Sequence, residues 1–509
     1  MTANINFADM NWWVLTPELV LLATAFSLLI LGLKKDFDSN AFLSKASIIG
    51  VGISLIVSFI LWGQVPSVLN NENPAIFSSA LINDRFAQTF NIIFLLMSLF
   101  AIFATFRFPK SDHENKPEYF ALVLLAVVGM MFLAKSGTMI AAFVSLELFS
   151  IALYILCGFS AKHGTGIEGP GDYSKLSWEC KTSQESAIKY FLTGAFASAV
   201  LIYGMALIYA GTGTTEIHKL AEEIHNNPYS SNLLVYMGIA LLFAGLAFKV
   251  SLVPFHSWTP DVYQGSPTPI TGFMSVATKA AAFAFIGRIF YGALPELQSV
   301  WMPFLFGISV ITMLVGNTAA IFQTNVKRML AYSGIAHAGY LLIGIVANNQ
   351  EGMASVIFYL GIYLCMNLGA FAIVYILEGE GEEANSINRF KGLAKRNPYL
   401  AFAMALFMAS LAGFPPTAGF FAKFYLFISA IKEGYELLAI LAVVASMISV
   451  YFYLRIIVLM YFRESSESED SIEITTGMGA LIAFSSAAIL MIGIFPSGFM
   501  HLALSSIPF

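Results

Sequence analysis

Apolar stretches of about 18 or more residues recur from one end of this sequence to the other, and each is long enough to cross a bilayer as a helix. No other feature limits the fold so strongly. Only 11% of the residues are charged and 58% are hydrophobic, whereas soluble domains carry about 25% charged residues. The expected fold is an all-α polytopic membrane protein. Its expected spans are 13–33, 44–64, 86–107, 118–135, 137–159, 186–211, 233–263, 267–290, 299–322, 326–347, 352–378, 398–431, 436–462 and 474–503, which makes about fourteen helices embedded in the lipid bilayer. The net charge of −5 says little, because most of the charge lies in loops.

Two spans, 233–263 and 398–431, exceed the roughly 20 residues that a bilayer needs. Both carry proline near the middle, Pro254 in one and Pro415 and Pro416 in the other, so both read as broken helices. They are the seventh and the twelfth, and an odd separation makes them cross in opposite directions. Transporters built from inverted repeats show such paired discontinuous helices near the substrate path. The expected organisation is a three-helix segment (1–117), a first five-helix repeat of helices 4–8 (118–290), a second, inverted repeat of helices 9–13 (299–462), and a loop with helix 14 (463–509). The hydrophilic inserts 160–186 and 463–473 read as solvated loops.

Orientation follows from Lys and Arg in the loops. One side collects Lys34, Lys35, Lys45, Arg107, Lys110, Lys116, Lys162, Lys175, Lys181, Lys327, Arg328, Arg389, Lys391, Lys395, Arg396 and Arg463. The other holds Arg85, Lys135, Lys219, Arg288 and Lys432. The bias puts both termini outside, in the periplasm of a bacterial source. The start of the chain shows no basic region and no small-residue cleavage site, so no removable signal peptide is expected. The three cysteines (Cys157, Cys180, Cys365) lack C-x-x-C spacing, which argues against an iron–sulfur or zinc site. No Gly-rich phosphate loop follows a predicted strand, so neither a redox cofactor nor a nucleotide site is expected in this chain, and nucleic acid is not an expected partner.

Charges nevertheless sit where a bilayer disfavours them. Glu147, Lys249, Lys279, His337 and Lys423 lie near the centres of their spans, and Lys189 lies nearer the inner end of helix six. Each central charge costs about 2.5–3.5 kcal/mol on insertion scales. Together they cost on the order of 10 kcal/mol, comparable with a domain's whole stability. They are expected to face one another, or water, inside the bundle, as ionisable residues on ion or proton pathways do. Plainer roles exist for each. Glu147 and Lys249 would serve as an ion pair fastening two helices, Lys189 would snorkel to the inner interface, and His337 would be a hydrogen-bonded packing residue. Trp258 and Tyr263 read as interfacial anchors, His256 and Asp261 as caps of the broken helix, and the many Met and Phe as packing.

Lys249 precedes Pro254 by five residues in "GLAFKVSLVPFHSWTPDVYQG". The proline ring is expected to free the carbonyl of Val250, four residues back. The first half-helix ends there, and its negative dipole end favours a cation. Burial disfavours the ammonium and a carboxylate neighbour favours it. A lysine held between those forces can take and release a proton, which an arginine effectively cannot. By the same logic Pro416 is expected to free the carbonyl of Ala412 near Lys423.

The stretches "FKVSLVPFHSWTPDVYQGSPTPITGFMSVATKAA", "NVKRMLAYSGIAHAGYLLIG" and "GFPPTAGFFAKFYLF" resemble the antiporter-like membrane subunits of respiratory complex I. The resemblance covers nearly the whole chain. The wording "PDVYQGSPTPIT" and the absence of a long C-terminal lateral helix resemble one branch of that family. The resemblance implies proton translocation, with electrons passing to quinone through other subunits that carry FMN and iron–sulfur clusters. It implies other membrane-arm subunits as partners, neighbouring antiporter-like ones included. Under it Glu147 matches the helix-five glutamate, Lys249 the helix-seven lysine, Lys279 the connecting lysine of helix eight, His337 the polar position on the central axis, and Lys423 the helix-twelve lysine near the outer exit. Lys189 falls in a helix-six "KY" motif, implying a role on the input side. A subunit of a multi-subunit cation/proton antiporter shares this fold and these lysines and is the alternative. A purely structural spacer leaves the central charges unexplained.

Overall fold

The computed structural model describes residues 11–34, 40–65, 75–77, 79–105, 116–159, 178–226, 233–379, 381–464, 472 and 474–508. In chain order its elements are α1 (Thr16–Leu31), α2 (Asn40–Gln64), the two-residue strands β1 (Ala75–Ile76) and β2 (Leu81–Ile82), α3 (Arg85–Thr105), α4 (Pro117–Lys135), α5 (Met139–Cys157), α6 (Trp178–Thr212), α7 (Ile217–Asn226), α8 (Leu233–Lys249), α9 (Trp258–Gly265) and α10 (Thr268–Gly287). There follow α11 (Gln298–Ile321), α12 (Val326–Ala347), α13 (Gln350–Leu377), α14 (Leu393–Arg396), α15 (Pro398–Ala412), α16 (Ala418–Lys432), α17 (Glu436–Phe462), α18 (Thr476–Ile494) and α19 (Pro496–Leu504). Among the described residues, twelve helices are long and apolar enough to cross a membrane. The chain is a multi-pass integral membrane protein. Two shorter apolar helices, α8 and α15, are followed after a break by α9 and α16. These are the broken helices that the prolines led us to expect.

The two breaks are built differently. α8 stops at Lys249, well before Pro254, and the chain turns at Ser251 with φ 64°. Trp258 Nε1 donates to the carbonyl of Phe248 at 3.1 Å across this turn. The half-helix thus ends within one residue of the expected Val250, but at the turn at Ser251, which comes before the proline. In the second break α15 ends at Ala412, and Gly413 adopts φ 92°, a left-handed C-cap that glycine enters without steric cost. There the Ala412 carbonyl is indeed available, and Lys423 Nζ donates to it at 2.9 Å.

Burial sorts the helices into a column and a rim. Every residue of α10 is buried, as are nearly all of α12 and α13. The rim helices turn apolar faces outward, for example Ile49, Ile53 and Ile56 on α2 and Ile188, Leu192 and Phe196 on α6. Lipid tails are as apolar as leucine, so helix association relies on close packing of small residues. A β-carbon on Gly204 of α6 would lie 2.4 Å from the Leu242 backbone nitrogen of α8, so glycine lets these two backbones touch.

Several expectations need correction. Lys135 and Arg288, counted as outer-loop charges, are buried: Lys135 pairs with Glu18 at 2.7 Å, and Arg288 grips both carboxylate oxygens of Asp84 at 2.8 and 2.9 Å. Lys327, counted on the inner side, is also buried. Residues 178–186 of the first insert belong to α6 rather than to a loop, while 160–177 and most of 463–473 lie outside the described residues. The last span, 474–503, is divided into α18 and α19 at Pro496. The amphipathic α7, which buries Ile217, Leu220 and Ile224, was not anticipated.

Candidate functional site

Lys249 is the last residue of α8, at the end whose dipole favours a cation. Its Nζ donates to Ser150 Oγ at 2.8 Å and to the Tyr154 hydroxyl at 3.3 Å. Both partners lie on α5, three and seven residues beyond Glu147, so all three share one helical face. Glu147 is half-buried and accepts a short hydrogen bond from Ser198 Oγ of α6. Among the described residues no ion pair joins Glu147 to Lys249. The expected fastening pair is therefore replaced by hydroxyl contacts from the same face.

Lys279, on the central helix α10, donates to the Ser275 carbonyl at 3.1 Å and to the Tyr263 hydroxyl at 3.3 Å. Tyr263 and Trp258 are both buried, so neither is the interfacial anchor expected. A β-carbon on Gly334 would lie 3.3 Å from Lys279 Nζ and 3.1 Å from the Tyr363 hydroxyl, which brings both groups to one spot on α12, three residues before His337. His337 is buried between tyrosines. Its Nδ1 meets the Tyr359 hydroxyl and its Nε2 the Tyr453 hydroxyl at 3.0 Å, and Tyr453 also bonds Ser333. Lys423, besides the Ala412 carbonyl, donates to Ser446 Oγ at 2.8 Å and lies 5.0 Å from the centre of the Tyr340 ring.

The structure thus buries Lys249, Lys279, His337 and Lys423 in the interior, but it does not put their charges in contact with one another. Tyrosines stand between them. The Tyr363 and His337 rings are 5.0 Å apart and those of His337 and Tyr340 5.9 Å, so one aromatic cluster spans from Lys279 to Lys423. Sequence reasoning read Met and Phe as packing and Tyr263 as an anchor, and gave these other tyrosines no role. The i, i+4 pair Tyr359 and Tyr363 on a mostly apolar helix was the available signal. Lys189 is not part of this row. It lies at the rim, 43% exposed, and pairs with Asp261 at 2.8 Å and Glu185 at 2.6 Å, so it binds carboxylates instead of snorkelling alone. Asp261 caps nothing, since the start of α9 has no side-chain cap.

Buried cations here fall into two electrostatic classes. Lys135, Arg288 and Lys327 have carboxylate partners at 2.7, 2.8 and 3.9 Å. Among the described residues, Lys249, Lys279 and Lys423 have no carboxylate within ion-pair reach and are held by hydroxyls and carbonyls. A carboxylate locks the ammonium form, whereas a hydroxyl can accept from an ammonium or donate to a neutral amine. The second class is suited to gain and lose a proton. No group of three or more His, Cys, Asp or Glu that could hold a metal occurs among the described residues.

A sequence profile described as "NADH:quinone oxidoreductase/Mrp antiporter, TM" matches residues 175–449. NADH-quinone oxidoreductase subunit N of Trichlorobacter lovleyi is 39% identical over 497 residues, covering 98% of this chain and 97% of its own. The chain belongs to the NADH-quinone oxidoreductase subunit N family. Subunit N of Chloroflexus aggregans is 40% identical over 488 residues, covering 95% of this chain and 94% of its own. A chain of respiratory complex I from Thermus thermophilus with bound aureothin is similar in structure, with TM-score 0.78 and 30% identity over 96% of this chain and 100% of that one. A chain of the Mrp complex from a Dietzia species reaches TM-score 0.81 at 22% identity, over 98% of this chain and 97% of its own. That likeness is one of fold alone. The fold is shared by both readings left open by the sequence, and near-full-length identity to subunit N separates them.

Proposed function

We propose that this chain is the proton-translocating, antiporter-like subunit N in the membrane arm of an NADH-quinone oxidoreductase. Redox chemistry belongs to partner subunits, where FMN, iron–sulfur clusters and quinone reside. Within this chain Lys249, Lys279, His337 and Lys423 carry the proton, with Glu147 setting the charge balance at Lys249 and Lys189 on the input side. One observation carries the reading: three buried lysines are held by hydroxyls and carbonyls, while other buried cations are locked by carboxylates. Protons load from the inside near Lys249 and leave outward past Lys423. Fourteen crossings, ten of them in two inverted five-helix repeats, helices 4–8 and 9–13, fit the paired breaks at α8–α9 and α15–α16. The setting is a bacterial inner membrane, with both termini periplasmic.

The test uses the whole complex in proteoliposomes, with protons moved per electron as the readout. Lys249→Met, Lys279→Met and Lys423→Met are each expected to lower that ratio. A wild-type ratio in Lys249→Met or in Lys279→Met would refute the path. A wild-type ratio in Lys423→Met alone would move the exit into the first repeat.

A further inference from the structure

The half-helix α9 is only eight residues long, has no side-chain cap at its start, and follows a break. Tertiary contacts must therefore hold it. On its inner side Asp261 binds two cations from different parts of the chain: Oδ2 meets Lys189 Nζ of α6 at 2.8 Å, and Oδ1 meets Arg328 Nη1 of α12 at 2.6 Å. The same Arg328 nitrogen donates to Gln264 Oε1 at 3.0 Å. Next to it, Lys327 Nζ donates at 2.6 Å to the carbonyl of Ser266, the residue that ends α9. Two successive cations of α12 thus grip the middle and the negative end of this short helix, where a cation is favoured. Ser186 Oγ of α6 also donates to the Asp261 carbonyl at 3.3 Å.

The opposite end of each tie reaches the site lysines. Trp258 of α9 holds the Phe248 carbonyl, one residue before Lys249. Tyr263 of α9 accepts from Lys279. His337 stands on α12, the helix that supplies Arg328 and Lys327. One carboxylate therefore joins α6, α9 and α12, and through α9 it places the hydroxyl that Lys279 touches and holds the backbone beside Lys249.

We propose that Asp261 is a positioning residue, a charge clasp that holds α9 between α6 and α12 and so keeps Tyr263 against Lys279 and Trp258 against the end of α8. The inference rests on the proton path proposed above and adds to it a residue that carries no proton. Lys189 acts at the input side through this clasp. The ion pairs are partly exposed, with Asp261 at 38%, Lys189 at 43% and Arg328 at 28%. Their worth as isolated surface pairs is small, and their effect comes from the geometry they impose.

The test is the proton-to-electron ratio of the assembled complex in proteoliposomes, for Asp261→Asn, Asp261→Glu, Arg328→Gln and the double variant Asp261→Asn with Arg328→Gln. A merely structural role lowers the amount of complex and its redox rate together but leaves the ratio per electron unchanged. The clasp predicts that Asp261→Asn lowers the ratio, that Asp261→Glu recovers it, and that the double variant is no lower than Asp261→Asn alone. Should Asp261→Asn not assemble, Arg328→Gln carries the same test, because it removes one ion pair and leaves the carboxylate bound to Lys189. A wild-type ratio in Asp261→Asn and Arg328→Gln, while Lys279→Met lowers it, overturns the clasp and leaves the path standing. A wild-type ratio in Lys279→Met overturns instead the path on which the clasp rests.

Discussion

The two classes of buried cation differ in what their removal should do to stability. Lys135 and Glu18 are fully buried and 2.7 Å apart, and Lys135 also donates to the Val14 carbonyl at 2.9 Å. Replacing Lys135 by Met leaves Glu18 buried with Asn91, at 3.3 Å, as its hydrogen-bond donor. Breaking such a pair from one side costs about 3–5 kcal/mol, because the remaining charge has lost its compensation. The double variant Lys135→Met with Glu18→Gln removes both charges and is expected to return close to wild-type stability, since a buried pair is often replaceable at little cost. Lys279→Met behaves in the opposite way. It removes a lone central charge that costs about 2.5–3.5 kcal/mol to insert and leaves no carboxylate orphaned, so the variant should be at least as stable as wild type. The assay is thermal denaturation of the detergent-solubilised complex, with native-gel assembly as a second readout. Equal stability of Lys135→Met and Lys279→Met, or a double variant as unstable as Lys135→Met, would refute this division of the buried cations.

Two other outcomes test the chemistry and the periphery. Lys249→Arg keeps the charge but cannot release its proton at working pH, so pumping through this subunit should fail; normal stoichiometry in vesicles would exclude deprotonation of this residue. Outside the spans, His225 of α7 bonds Glu296 at 2.5 Å, and this hydrogen bond raises the imidazole pKa above its ordinary value. A raised folded value means the stabilisation from the His225–Glu296 contact is fully present below the unfolded pKa of about 6.5 and fades as pH rises through the folded value. Hydrogen-exchange protection of residues 217–226, corrected for the intrinsic rate, should therefore drop toward alkaline pH in wild type and not in His225→Gln; identical profiles would remove the His225–Glu296 contact as its cause.

What the sequence determined by itself is the class of fold and the charges near the centres of the spans. A bilayer enforces runs of about 20 apolar residues and makes every interior charge costly, so spans, broken helices and the residues Glu147, Lys249, Lys279, His337 and Lys423 stand out without coordinates. Partners were not legible in the same way. Rim helices such as α2 and α17 carry apolar residues on the lipid side and the inner side alike, because lipid and protein interior are equally apolar. The pattern therefore does not say which face points inward. That is why Lys135 and Arg288 passed for loop charges until Glu18 and Asp84 were seen beside them. For the same reason Tyr263 passed for an interfacial anchor, and Tyr154, Tyr359 and Tyr453 drew no reading at all, although their hydroxyls lie on Lys249, Lys279 and His337. Asp261 shows the limit most plainly: its two cations lie 72 and 67 residues away in the chain, and only tertiary packing brings α6 and α12 against the same eight-residue helix.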